Sequence, residues 1–85
     1  MALTLVFLGR LEDLAGMGHM SVPLDGPHGA LSLSGLLARL PGELATQLQG
    51  PKVKMALNGA ILAPGADPAL ADGDELAFLP PVSGG

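Results

Sequence analysis

The sequence contains no cysteine. It therefore has no disulfide framework, no thiolate nucleophile and no cysteine-based zinc or iron–sulfur site, and any sulfur chemistry must be carried by another group. Tryptophan and tyrosine are also missing and phenylalanine occurs only twice, which leaves no aromatic platform for stacking on bases or sugars. Basic residues are scarce: four Lys plus Arg against eight Asp plus Glu give a formal net charge of −4. That composition cannot supply the cationic stripe that phosphate neutralisation requires, so nucleic acid is excluded as an expected partner. Long apolar runs are lacking too. The longest, around "LVFL", falls far short of the ~18 residues of a membrane span. No basic residue precedes it, as a signal peptide would require. The expectation is a cytoplasmic protein with no membrane partner.

What is present is aliphatic: 48% of the 85 residues are hydrophobic, mostly Leu, Ala and Val. A chain of this size forms one domain with one core. "ALTLVFL" alternates with Leu3, Leu5 and Phe7 on one face and Thr4, Val6 and Leu8 on the other, as a strand does. The second face is less polar than a solvent face should be. "RLEDLAG" predicts a turn of helix closed by Gly16, and "GHMSVPL" predicts an edge strand with Met20, Val22 and Leu24 on one side and Pro23 marking the edge. Leu33, Leu36, Leu37 and Leu40 make the stripe of an amphipathic helix, with Ser32 as N-cap and Pro41 as stop. Gly35 inside that helix predicts a close approach to the sheet or a weakly formed helix. "GELATQLQG" predicts one further turn. "VKMALNGAIL" predicts a hairpin turning at Asn58-Gly59, and "ELAFL" a last strand with Leu76 and Phe78 inward, apolar enough to be central. Strand, strand, helix, hairpin, strand gives an α+β fold of the β-grasp, ubiquitin-like type. The expected sheet is mixed, of four to five strands, with one main helix on one face. Residues 1–79 form the domain and 80–85 an extended tail.

Candidate chemical groups are few. Asp67, Asp72, Asp74 and Glu75 crowd one loop, but the twelve-position calcium pattern with its terminal bidentate Glu is missing, and a polar turn ahead of a strand accounts for them. His19 and His28 have no third ligand and read as surface histidines. Ser21, Ser32, Ser34 and Ser83 have no nucleophile-elbow context. No Gly-rich loop followed by Lys and Ser or Thr occurs, so no ATP site is expected in this chain. No metal and no bound cofactor are expected.

The end of the chain, "FLPPVSGG", differs. Pro80-Pro81 fixes φ at two residues and removes two backbone donors, so the polypeptide leaves the sheet extended. Six residues from Pro80 to Gly85, at roughly 3.3 Å each, project ~20 Å. Gly84-Gly85 at the tip presents a carboxylate with no β-carbon beside it, able to thread a channel too narrow for side chains. A merely trimmed or floppy terminus is the plainer alternative.

In this context the chain resembles the MoaD family, the small, sulfur-carrier subunit of molybdopterin synthase, within the MoaD/ThiS ubiquitin-like superfamily. The resemblance spans the opening strand, "LEDLAG", "ALNGAIL", "LADGDELAFLPPV" and the tail. The Pro-Pro-Val-Ser lead into Gly-Gly is its specific part. The β-grasp pattern alone also admits the ThiS thiamin sulfur carriers and other ubiquitin-like modifiers. The resemblance implies that the Gly85 carboxylate is adenylated by an E1-like adenylating enzyme that uses ATP. A sulfur donor protein then converts it to a thiocarboxylate. The tail, slim at Gly84, enters the large subunit of molybdopterin synthase and delivers sulfur to cyclic pyranopterin monophosphate, building the molybdopterin dithiolene. On its own the chain is no enzyme; it is the sulfur-donating part of a sulfurtransferase complex, in the family pattern a heterotetramer. Leu8, Ile61, Leu79, Pro80, Pro81, Val82 and Ser83 are implied as partner-binding. Three features depart from the family: Leu79 stands where an aromatic is common, "DGPHGALSL" is longer than usual, and Gly35 interrupts the helix. The alternatives are a carrier for thiamin or tRNA thiolation, a ubiquitin-like protein modifier, and a non-carrier interaction module.

Overall fold

The computed structural model describes residues 2–24, 31–50, 52–63 and 65–80. Strand β1, Ala2–Phe7, buries every second residue, as its alternation requires. Helix α1, Arg10–Ala15, follows and is closed by Gly16 at φ 80°, the left-handed conformation glycine adopts without strain. Strand β2, His19–Pro23, returns antiparallel to β1 and forms one edge of the sheet, where Pro23 lacks only a donor that faces no partner strand.

Next come β3, Leu31–Ser32, and α2, Leu33–Arg39, whose N-cap is Ser32, accepting from the Gly35 N–H at 3.0 Å. Pro41 ends α2 as expected, but it also starts α3, Gly42–Leu48, at full two-turn length where a single turn was expected. The helix expected on Leu33, Leu36, Leu37 and Leu40 is thus α2, and a second helix of equal length follows it, the two parted at Leu40-Pro41, where proline cannot continue the first helix and its carbonyl accepts from Ala45 N at 2.9 Å. Gly35 is approached most closely by the two residues of β3 that lead into its own helix, and not by the five-stranded sheet. A β-carbon there would lie 3.0 Å from Leu31 Cδ1 and 3.1 Å from Ser32 Oγ.

The hairpin pairs β4, Lys54–Leu57, with β5, Ala60–Ile61. Its turn residues Asn58 and Gly59 both have positive φ, 50° and 87°, the geometry that matches strand twist. Asn58 does more than turn: its side-chain oxygen accepts from Glu75 N at 2.9 Å and its amide donates to Asp74 Oδ1 at 3.0 Å. The hairpin is thereby fastened to the start of the last strand. Between them β6, Ala69–Leu70, pairs with β3 in a small second sheet that two-residue runs cannot announce by periodicity. Strand β7, Glu75–Leu79, runs parallel to β1 and antiparallel to β4, giving the mixed order β2-β1-β7-β4-β5. The last strand is central, as its hydrophobicity implies.

All three helices contribute to one core with one face of the sheet. Leu3, Leu5, Phe7, Leu76 and Phe78 cluster with Leu11, Leu36, Leu37, Leu44 and Leu48. At the centre the Phe7 and Phe78 rings stack at 5.5 Å with 9° between their planes.

Candidate functional site

The strand registers define what lies on the other face. His19, Val6, Ala77, Ala56 and Ile61 form one row across β2, β1, β7, β4 and β5. Ala56 is buried yet outside the core cluster, because its small side chain sits between neighbours on this outer face. One step toward the end of β7, Leu79 stands opposite Lys54, and Leu8 continues the ladder by donating its N–H to Phe78 O at 3.1 Å. Val6, Ala77 and Leu79 are half-buried, while Leu8 and Ile61 are 42% and 61% exposed. Among the described residues, none of α1, α2 and α3 covers this face with its buried positions, all of which join the core cluster opposite. A contiguous apolar face outside the core is the mark of a binding surface.

Where the chain leaves this face the backbone is tightly fitted. Gly9 has φ 56°, and a β-carbon on it would come within 2.9 Å of Pro80 Cγ. Gly9 opens α1 by accepting from Glu12 N at 3.1 Å. The loop between β1 and α1 therefore lies close against the Pro80 ring. Sequence reasoning missed Gly9. The available signal was a glycine between a strand and a helix, in a position that the central, parallel placement of the first and last strands brings to the final prolines.

Leu8, Ile61, Leu79 and Pro80 of the expected partner-binding set are brought to this one face and its margin. Pro81, Val82, Ser83, Gly84 and Gly85 lie outside the described residues, as does His28. Ala56, Ala77 and Lys54 complete the face and were not anticipated, because alanine carries no strong pattern and only the register shows that Lys54 neighbours Leu79. His19 ends the central row at the sheet edge.

The acidic loop serves the fold. Asp72 Oδ1 accepts from Ala2 N at 2.8 Å, and Asp74 accepts from Ala71 N at 2.8 Å as well as from Asn58. The Ala71 backbone bond and the Asn58 amide hold the Asp74 carboxyl below its ordinary pKa. Asp67 accepts from Ser34 N at 2.8 Å and Ser34 Oγ at 2.9 Å, and these bonds lower its pKa likewise. Asp67 borders a half-open cleft of about 450 Å³ on the helical side, between α2, α3 and the hairpin, otherwise lined largely by Leu37, Leu48, Val53, Met55 and Leu62. The cleft holds no cysteine or histidine, and its carboxylate is already engaged by Ser34. Among the described residues no three His, Cys, Asp or Glu side chains gather as a metal site, and no helix is long and apolar enough to cross a membrane. Among the described residues, the outer face is the apolar surface that the core leaves over.

Comparisons with known proteins agree in kind. The model of the ThiS family matches residues 6–85. A molybdopterin synthase sulfur carrier subunit from Chlamydomonas reinhardtii is 31% identical over all of both chains. Among solved structures, SAMP1 from Haloferax volcanii shares 28% identity over all of both chains with a TM-score of 0.73. The fold also matches a chain in the complex of subunits 1 and 2 of the molybdopterin-converting factor from Helicobacter pylori, at 23% identity and a TM-score of 0.63 over all of both chains.

Proposed function

The chain belongs to the ThiS family, and from that premise we propose that it is the sulfur-carrier subunit of a molybdopterin synthase. The observation that carries this reading is the placement of the apolar outer face at the root of the Gly-Gly tail. Leu8, Leu79 and Pro80 lie where the central strand releases the chain. The Chlamydomonas relative supports the choice of pathway, and the Helicobacter complex supports a large subunit as partner.

In this reading the tail is a tethered reagent. A free carboxylate is a poor electrophile. Attack of the Gly85 carboxylate on the α-phosphorus of ATP, in the adenylating enzyme, releases pyrophosphate and leaves an acyl-adenylate. Sulfur from a donor protein adds to that carbonyl and AMP departs, giving the thiocarboxylate. The thiocarboxylate sulfur then attacks a side-chain carbon of cyclic pyranopterin monophosphate inside the large subunit and displaces an oxygen substituent of that carbon. Water cleaves the resulting thioester, leaving sulfur on the pterin and regenerating the carboxylate, and a second carrier repeats the step for the second sulfur. Catalytic side chains belong to the partners. This chain supplies a docking face that holds the arm's base in place and so raises the effective concentration of its tip.

The test is mass spectrometry of the protein from its native cells. Exchange of one oxygen for sulfur at Gly85 is expected, and its persistent absence with the adenylating enzyme present overturns the carrier reading. One residue added after Gly85 is expected to abolish sulfur transfer while leaving thermal stability unchanged.

A second reading is favoured by the likeness to SAMP1, the small archaeal modifier protein. In that case Gly85 is transferred to lysine amines. Recovery of amide conjugates of Gly85 without thiocarboxylate selects it.

A further inference from the structure

The four cationic side chains of this acidic protein are unevenly placed. Arg39 is taken up by the fold, its Nη1 donating to Pro23 O at 3.3 Å. Arg10, Lys52 and Lys54 are exposed and share one end of the sheet. The registers fix this end. With Phe7 beside Phe78 and Lys54 beside Leu79, β1 and β7 finish where β4 begins. Lys54 alternates with the outward Ala56, so it borders the apolar face across from Leu79. Lys52 precedes it by two residues, and Arg10 opens α1 two residues after Leu8.

The acids of this face stand at its other end, where Glu75 pairs with Thr4 and follows the loop of Asp72 and Asp74. Glu12 and Asp13 follow Arg10 on α1, but the Glu12 carboxylate turns back against Gly18. Along β7 the outer face therefore passes from acid at Glu75, through apolar Ala77 and Leu79, to the end of the sheet nearest in the chain to Arg10, Lys52 and Lys54. The protein's net charge is −4, so the gathering of three of its four cations there runs against its average field.

We propose that Arg10, Lys52 and Lys54 form a cationic collar, and that the partner surface received by this face has an apolar centre and a carboxylate-bearing rim facing the collar. This rests on the carrier reading for the partner's identity. A second copy of the chain is the poorer occupant. Two bodies of like net charge repel at long range, and stacking the two faces would cover both tail exits.

Five residues beyond Pro80 reach up to about 17 Å at roughly 3.3 Å each, about twice the ~8 Å Debye length at physiological salt. Charges at the rim of an interface act mainly on encounter rate and its salt dependence. The collar thus steers and registers docking and leaves the chemical step alone.

The test uses the full-length chain, purified subunit 2 of the molybdopterin-converting factor from the same organism, and stopped-flow association in ~50 mM and ~300 mM salt. The wild-type association rate is expected to fall about tenfold with salt. The variant Arg10→Glu/Lys52→Glu/Lys54→Glu is expected to associate at least about tenfold more slowly at low salt, with the gap closing at high salt. Lys54→Gln is expected to shift the rate in the same direction by a smaller factor, which keeps the test decisive if the triple variant does not fold. Equal low-salt association rates for Lys54→Gln, the folded triple variant and wild type overturn the collar while leaving the carrier reading standing. A concentration-dependent homodimer that the triple variant dissolves also overturns it, because the occupant is then a second copy. Absence of any binding by the wild-type chain overturns the choice of partner and the collar together.

Discussion

Strand β7 shows two faces of one short sequence. Leu76 and Phe78 point inward and are 0% exposed, while Ala77 and Leu79, alternating with them, are only half-buried. Both sets are apolar. They differ in cover: α1, α2 and α3 all close on the inner face, and none closes on the outer one. Hydrophobicity on both sides of a strand therefore has two meanings in this molecule. One side holds the fold together, and the other, left without a helix over it, is the face proposed above to receive a second protein.

Substitutions at adjacent positions should separate these meanings. The largest effect belongs to the inner face: Phe78→Ala, which removes one ring of the Phe7–Phe78 stack, is expected to cost about 3–5 kcal/mol. In denaturant titration this will unfold much of the population of so small a domain. Next is the seam between the faces. Gly9→Ala places a β-carbon 2.9 Å from Pro80 at a left-handed φ, which is expected to cost about 1–2 kcal/mol. It should also weaken partner binding by re-aiming the tail, a loss that Gly9→Ala with Pro80→Ala partly restores. On the outer face, Leu79→Glu is expected to cost less than about 1 kcal/mol, since the new carboxylate stands opposite Lys54. Binding of subunit 2 should nevertheless fall severely, as measured by calorimetry. A stability loss equal to that of Phe78→Ala would dissolve the distinction between the faces.

The smallest effect touches neither face. The Asp67 and Asp74 carboxyls are held below their ordinary pKa by hydrogen bonds that only the folded chain provides. Their stabilisation is complete above the unfolded value and is lost as pH falls through the lowered one, below about pH 4. Ser34→Ala removes the hydroxyl bond to Asp67. It is therefore expected to reduce the stability difference between neutral and acid solution, as followed by circular dichroism.

Much of this was legible in the residues. The alternation in "ALTLVFL" and "ELAFL", the Asn58-Gly59 turn, Gly16 after α1 and Ser32 before α2 each carry a local signal, and each stands where that signal puts it. The unusual polarity of the second face was visible too, and it led to Leu8, Ile61 and Leu79. What local pattern cannot carry is pairing between distant residues. Strands β3 and β6 have two residues each, too few for any period, and exist because Leu31 and Leu70 meet. Likewise Ala56, Ala77 and Lys54 join the site only through register, and Gly9 only through its contact with Pro80. The stop at Pro41 was legible, whereas the length of α3 beyond a single turn comes from packing, since Leu44, Ala45 and Leu48 are buried in the core.

The central place of β7 has a kinetic consequence. Its neighbours on both sides, β1 and β4, come earlier in the chain, and fastenings such as Ala2 N to Asp72 Oδ1 span 70 positions. Such non-local closure is slow, and loop entropy must be met before any contact is gained. Until residues 75–79 are inserted, β1 and β4 have no strand between them and the core is open. The segment that bears the tail is thus the keystone of the body. On the proposed carrier reading, an adenylating enzyme that docks on the outer face passes over chains that have not finished folding, which would make folding itself a checkpoint before sulfur is loaded.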